Sequence, residues 1–300
     1  MSLFVRIDAV FSGGGVKAYA FIGVLDRLEQ SHYTIERVAG TSAGAILASL
    51  LAANYQLKDI KQMLQELELN TLLDAPLITK ILPFSKWFFL YYQKGLYKGD
   101  AFEKWLQKQL AVKSIYTFSD IQPGYLKVVV SDLTLGKLVV IPDDLKRVYG
   151  INPSHFSVAK AVRMSAGFPY FFQPKIIQSI SKQKSVIVDG GLLSNFPMWI
   201  FENGDQKQKR PLLGVKLSSN IEKGEKRTIK HAFDMFTALF STMKMAHDSR
   251  YISKKNQANI IFVPVDDIGS VDFAIDEKTK KQLIQKGQES TALFLKHWPK

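Results

Sequence analysis

Residues 35–55, Ile35-Glu36-Arg37-Val38-Ala39-Gly40-Thr41-Ser42-Ala43-Gly44 followed by Ala45-Ile46-Leu47-Ala48-Ser49-Leu50-Leu51-Ala52-Ala53-Asn54-Tyr55, run from a short apolar segment through a glycine-flanked turn into an alanine- and leucine-rich stretch. The reading is strand, tight turn, helix. The same order occurs just upstream. Ile7 to Phe11 is apolar, Ser12-Gly13-Gly14-Gly15 is a turn, and Ala18, Ile22, Leu25 and Leu28 recur at helical spacing. Two such units within 55 residues predict an α/β fold: a three-layer α/β/α sandwich around a mostly parallel central sheet.

Further along, Asp100 with Glu103 reads as a capping box opening a helix through Leu110. Leu126–Val130 and Leu138–Ile141 read as a hairpin turning at Thr134-Leu135-Gly136. Val186–Val188, Leu212–Leu217 and Ile260–Val263 have the composition of short buried strands, and 232–253 and 278–298 that of helices. Asn203 to Arg210 reads as a solvated loop. With no repeat or linker visible, residues 1–300 are expected to form one domain, with a motif-bearing core over about 7–217 and residues 218–300 completing or flanking the sheet.

The chain has 300 residues and 46% hydrophobic side chains, the composition of a folded protein. It has no cysteine, which excludes disulfides, thiolate catalysis and cysteine-ligated metal sites. Its start shows no secretory signal, and its apolar runs fall short of the roughly 18 residues that span a bilayer. The expectation is a cytoplasmic protein, with any membrane contact peripheral and at the inner face.

The net charge of +13 is unevenly laid out. Residues 1–75 hold 6 basic and 8 acidic side chains, whereas residues 76–117 hold 7 and 2. The excess begins beside an aromatic stretch, Phe84-Ser85-Lys86-Trp87-Phe88-Phe89-Leu90-Tyr91-Tyr92. Aromatic side chains with nearby lysines suit the boundary of an anionic bilayer, although packing into the core is an equal reading. Met235 to Met245 raises the same choice and reads as core. The lysines are not interleaved with base-stacking aromatics as in nucleic-acid modules, so no nucleic-acid partner is expected.

Gly40-Thr41-Ser42-Ala43-Gly44 matches Gly-x-Ser-x-Gly, in which a sharp strand-to-helix turn projects a serine and small flanking residues, here Gly40 and Gly44, relieve the crowding. The helix amino terminus that follows favours negative charge at Ser42. The amides of Gly13, Gly14 and Gly15, with Lys17 beside them, can cradle a phosphate or stabilise an oxyanion. The spacing fits neither established nucleotide-binding glycine pattern. Asp189-Gly190-Gly191 places a carboxylate at the end of a strand, followed by an unobstructed turn. No histidine lies in a nominating motif. His231, His247 and His297 follow Asp189, so a Ser–Asp–His order stays open.

These three blocks, in this order, resemble the signature of the patatin-like phospholipases. Ala161-Val162-Arg163-Met164-Ser165-Ala166-Gly167-Phe168-Pro169 and Asn195-Phe196-Pro197 resemble two further family segments. The resemblance implies a Ser–Asp dyad: Ser42 as acyl-forming nucleophile, Asp189 as its base, and Gly13 to Gly15 as oxyanion hole, with Lys17, Gly190 and Gly191 in support. It implies a lipid or phospholipid substrate, with no metal and no cofactor. The alternative is a Ser–Asp–His esterase or acyltransferase acting on small soluble acyl esters. Acyl position, chain length, activator and oligomeric state are not legible in the sequence.

Overall fold

The computed structural model describes residues 4–67, 69–74, 91–202, 210–218, 229–252, 257–265 and 275–298. Its strands are β1 (Val5–Phe11), β2 (Tyr33–Thr41), β3 (Gly95–Tyr97), β4 (Leu126–Asp132), β5 (Lys137–Ile141), β6 (Tyr170–Phe172), β7 (Lys175–Gln178), β8 (Lys184–Asp189), β9 (Leu212–Lys216) and β10 (Ile260–Phe262). Its principal helices are α1 (Tyr19–Gln30), α2 (Ala43–Ala52), α3 (Leu57–Glu66), α4 (Asp100–Val112), α5 (Val158–Ser165), α6 (Ala232–Tyr251) and α7 (Glu277–Leu295). The class is α/β, with helices flanking a central multi-strand sheet. Tertiary contacts divide the chain into two compact units, residues 1–44 with 191–300, and residues 45–190.

In the first unit β1 pairs in parallel with β2 on one side and β9 on the other, and β9 pairs in parallel with β10. The apolar run at Ile7 to Phe11 conceals a charge, Asp8, which is buried. A lone buried carboxylate is costly, and two cations offset it here. Arg37 grips Asp8 with two hydrogen bonds of 3.0 and 2.5 Å while its guanidinium lies 4.6 Å over the Phe201 ring, and Arg210 adds a third bond at 3.0 Å. Helices α1 and α7 pack backbone to backbone. A Cβ on Gly23 would stand 2.8 Å from the Gln288 nitrogen and closer still to the Ile284 carbonyl, and one on Gly287 would strike the Ala20 carbonyl.

In the second unit β4 pairs antiparallel with β5 and with β8, and β7 antiparallel with β8, while β3 and β6 pair in parallel as a separate two-stranded sheet. The parallel arrangement expected of the sheet thus holds in the first unit, and the second adds antiparallel strands beyond the predicted hairpin. That hairpin is present, and Asp132 shapes its turn by accepting hydrogen bonds from the Thr134 and Leu135 amides at 2.9 Å. The other Asp132 oxygen accepts from the Tyr149 hydroxyl at 2.7 Å. Burial, more than this carboxylate, raises the Tyr149 phenol far above its ordinary range.

Helix α4 is where the sequence placed it, but its cap is not. Asp74, 26 residues upstream of Asp100, accepts from the amides of Gly99, Asp100 and Ala101 at 2.5, 2.8 and 3.0 Å. Asp100 and Glu103, read as a capping box, hold Lys175 instead at 2.8 and 2.7 Å. That lysine keeps the Asp100 carboxyl below its ordinary value. Most of the aromatic stretch, residues 84–90, and most of the 203–210 loop lie outside the described residues. Met235 to Met245 departs from the core reading. Phe240 is buried, while Met235, Leu239 and Met243, one turn apart, are 53%, 58% and 48% exposed.

Candidate active site

The nucleophile turn is built as its sequence demands. β2 ends at Thr41, whose hydroxyl, wholly buried, donates to the Ser194 carbonyl at 3.1 Å. The next residue, Ser42, has φ of +54°, and α2 begins at Ala43. A non-glycine residue in the left-handed region costs about 1–3 kcal/mol and persists only where its surroundings impose it. The imposing neighbour is β1, since the chain must turn so tightly past it that Gly44 lies against the strand's end. A Cβ there would stand 2.7 Å from the Ser12 carbonyl oxygen and nearer still to that of Phe11. Ser42 is half-buried at the amino end of α2, where unpaired amides favour negative charge. Gly40 lies within β2, opposite Phe11 of β1.

The glycine loop reaches this serine from the end of β1. Ser12 is fixed by β9 and its continuation: its amide donates to Val215 at 3.0 Å, and its hydroxyl accepts from the Leu217 amide at 3.2 Å. A Cβ on Gly13 would run into the Asn195 carboxamide oxygen and stand 3.2 Å from the Ser42 Cβ. Its amide donates to the Asn195 carbonyl at 3.0 Å. Of the three amides read as an oxyanion hole, that of Gly13 is therefore committed to Asn195. Gly14 precedes a single 3-10 turn over Gly15–Ala18, Gly15 takes φ of +57°, and the Lys17 amide closes onto the Gly14 carbonyl at 3.2 Å.

In the second unit Asp189 is the last residue of β8 and is buried. Its amide donates to the Gly167 carbonyl at 2.9 Å. This explains the segment around Gly167. Arg163, fully buried in α5, donates to the carbonyls of Lys98, Gly99 and Gln173 at 2.7, 3.0 and 2.9 Å, and Ser165 donates to Val129 at 2.6 Å. Burial pulls the Arg163 guanidinium down to about 10, still cationic at neutral pH. Gly190 and Gly191 form the 3-10 turn that follows, with Gly190 accepting from the Ser131 hydroxyl at 3.5 Å.

Three histidines follow Asp189 in the chain. His231 caps α6 reciprocally with Asp234, His247 lies within that helix, and His297 is exposed beyond α7. Among the described residues, no group of three or more histidine or acidic side chains could hold a metal ion, and no helix is long and apolar enough to cross a membrane. Sequence reasoning gave Asn195 only as a supporting match. Its contacts with Gly13 make it part of the site, and its place two residues before Pro197 was the available signal.

Comparison with known proteins gives the family. The family profile described as patatin-like phospholipase matches residues 9–201. The chain is 46% identical to the uncharacterized protein YqhO of Bacillus subtilis over 292 residues, covering 97% of this chain and 99% of that protein. It is 23% identical over 198 residues to the cUMP-AMP-activated phospholipase of Escherichia coli, covering 62% of this chain and 54% of that protein. The crystal structure of VipD from Legionella pneumophila aligns with a TM-score of 0.55 at 17% identity, over 98% of this chain and 67% of that one. A strand-to-helix serine at positive φ, a glycine loop against its Cβ and a strand-end aspartate, within a match over nearly two-thirds of the sequence, place this chain in the patatin-like phospholipase family.

Proposed function

We propose that the protein hydrolyses fatty-acyl esters of phospholipids or related lipids through a covalent acyl-serine, using Ser42 and Asp189 as a dyad. The observation that carries the reading is Ser42 itself: positive φ between β2 and α2, with Gly44 forced against β1 and Gly13 against its Cβ. In this mechanism Asp189 takes the Ser42 hydroxyl proton as Oγ bonds to the acyl carbon. The carbonyl oxygen becomes an oxyanion held by the Gly14 and Gly15 amides, each worth roughly 3 kcal/mol in the transition state. The carbon–oxygen bond to the lipid alcohol then breaks, and that alcohol leaves with the proton. Water, deprotonated by Asp189, attacks the acyl-serine and releases the fatty acid with Ser42 restored.

The test pairs chemistry with labelling. Ser42→Ala and Asp189→Asn should each remove hydrolysis of long-chain acyl esters while the circular dichroism spectrum is kept, and a fluorophosphonate should add one mass increment to wild type and none to Ser42→Ala. Hydrolysis that survived Ser42→Ala would overturn the reading. Single replacement of His231, His247 and His297 should leave turnover within about threefold, as a dyad requires. A large loss at any one would favour a triad.

A further inference from the structure

The site's oxyanion loop is tied to a helix that contributes nothing to the three motifs. Asn195, whose carbonyl accepts the Gly13 amide, is followed by Phe196, and the buried Phe196 amide donates to Asp248 Oδ1 on α6 at 3.1 Å. Asp248 Oδ2 is in a short ion pair with Lys216 Nζ at the end of β9. Lys216 in turn lies 5.5 Å from the centre of the Phe196 ring, and the next residue, Leu217, donates its amide to Ser12. Both ends of the Ser12–Gly13 turn are thus fastened to neighbours of one buried carboxylate.

We propose that Asp248, charge-balanced by Lys216, is a positioning residue that fixes the Asn195–Phe196 peptides and through them the glycine loop, so that the Gly14 and Gly15 amides stay aimed at the oxyanion. The inference rests on the acyl-hydrolase reading above and deepens it. Burying two charges gains little that a well-packed apolar pair of the same volume would not give. An apolar pair cannot, however, accept the Phe196 amide, and a buried amide without an acceptor would pull away to find one. The carboxylate supplies that acceptor, and the lysine makes its burial tolerable. Because Asp248 acts through the Asn195–Phe196 peptides, its effect is on transition-state alignment rather than on substrate binding.

Two uncharged double variants separate the acceptor from the ion pair. Lys216→Met with Asp248→Asn removes both charges and keeps an oxygen for the Phe196 amide. Lys216→Met with Asp248→Leu removes the oxygen as well, and Asp248→Ala replaces Asp248→Leu should the leucine variant not fold. The asparagine variant should keep kcat within about threefold of wild type. The leucine variant should lose at least tenfold in kcat, and as much in the rate of Ser42 phosphonylation, with KM within twofold. Amide exchange over residues 12–17 should quicken by at least tenfold in the leucine variant alone. A folded leucine or alanine variant with wild-type kcat and wild-type exchange overturns the proposal. If wild type itself neither hydrolyses acyl esters nor takes the label, the functional reading falls. The exchange comparison then still decides whether Asp248 holds the loop.

Discussion

Ser42 holds an unfavourable backbone conformation because its neighbours leave no other route. The residue that makes the turn passable is Gly44, whose missing side chain is the gap into which the carbonyls of Phe11, at the end of β1, and of Ser12, just after it, project. Gly44→Ala puts a methyl group against backbone rather than against a side chain that can swing aside. We expect a loss of about 1–3 kcal/mol of stability, read as a lower denaturation midpoint. Phosphonate labelling of Ser42 should fall by more than tenfold even where the variant is fully folded. Labelling at the wild-type rate would mean that the turn relaxes without moving the serine. The turn was readable from sequence because its pattern is contiguous, Gly40 to Gly44 between an apolar run and a helix, whereas the contact of Gly44 with Phe11 and Ser12 was not. Asp8 was not, since an isolated aspartate in an apolar run gives no notice that Arg37 and Arg210, 29 and 202 residues away, will meet it.

Helices and strands show the same division between local and distant causes. The strand–turn–helix units and the hairpin appeared where their periodicity put them. The cap of α4 did not, because Asp100 and Glu103 satisfy the local pattern while Asp74 satisfies the amides. Helix α6 misled in a different way. Its methionines and phenylalanines look uniformly apolar in sequence, and only the fold separates the face carrying Phe240 and Asp248 from the exposed line of Met235, Leu239 and Met243. The contact of α1 with α7 was invisible, for Gly23 and Gly287 are unremarkable glycines inside helices until Gly23 meets the backbone of Ile284 and Gln288, and Gly287 that of Ala20 and Val24. Gly287→Val should push the helices apart at a cost of about 3 kcal/mol, seen as a lowered urea midpoint. Gln282→Val, which puts the same side chain on the exposed face of α7, serves as the control. An equal shift in both would mean that α7 is not seated by this contact.

At the scale of the molecule the charge of +13 bears on the proposed function, which would bring the protein to a lipid surface. Its excess begins beside an aromatic segment whose described end, Tyr91 and Tyr92, is exposed at 78% and 64%. The Met235–Leu239–Met243 line adds apolar side chains that can enter a lipid surface. We expect binding to vesicles to rise with their content of anionic lipid and to fall as salt is raised from 50 to about 500 mM. Replacing Met235, Leu239 and Met243 by serine should weaken it severalfold. Binding that ignores both salt and anionic lipid would assign the lysines to solvation alone. The sequence exposed this charge pattern fully, yet it could not say which apolar side chains would be left outside the core, since that depends on what each helix packs against.

The pairing of β1 with β9 has a consequence in time. Asp8 is opposite Leu212 in the sheet, so on the ribosome β1 and its glycine loop are made roughly two hundred residues before the strand that completes their hydrogen bonding, and α1 waits longer still for α7. Through that interval the nascent chain carries an open strand edge and an uncovered helix groove, the features that recruit chaperones and invite wrong pairing. Ser12 and Gly13 gain their fixed partners, Val215, Leu217 and Asn195, only from the late segment. A stalled or truncated chain would therefore carry every catalytic residue of the proposed dyad and still lack the frame that holds the oxyanion loop in place, leaving it without the acyl hydrolase activity while incomplete.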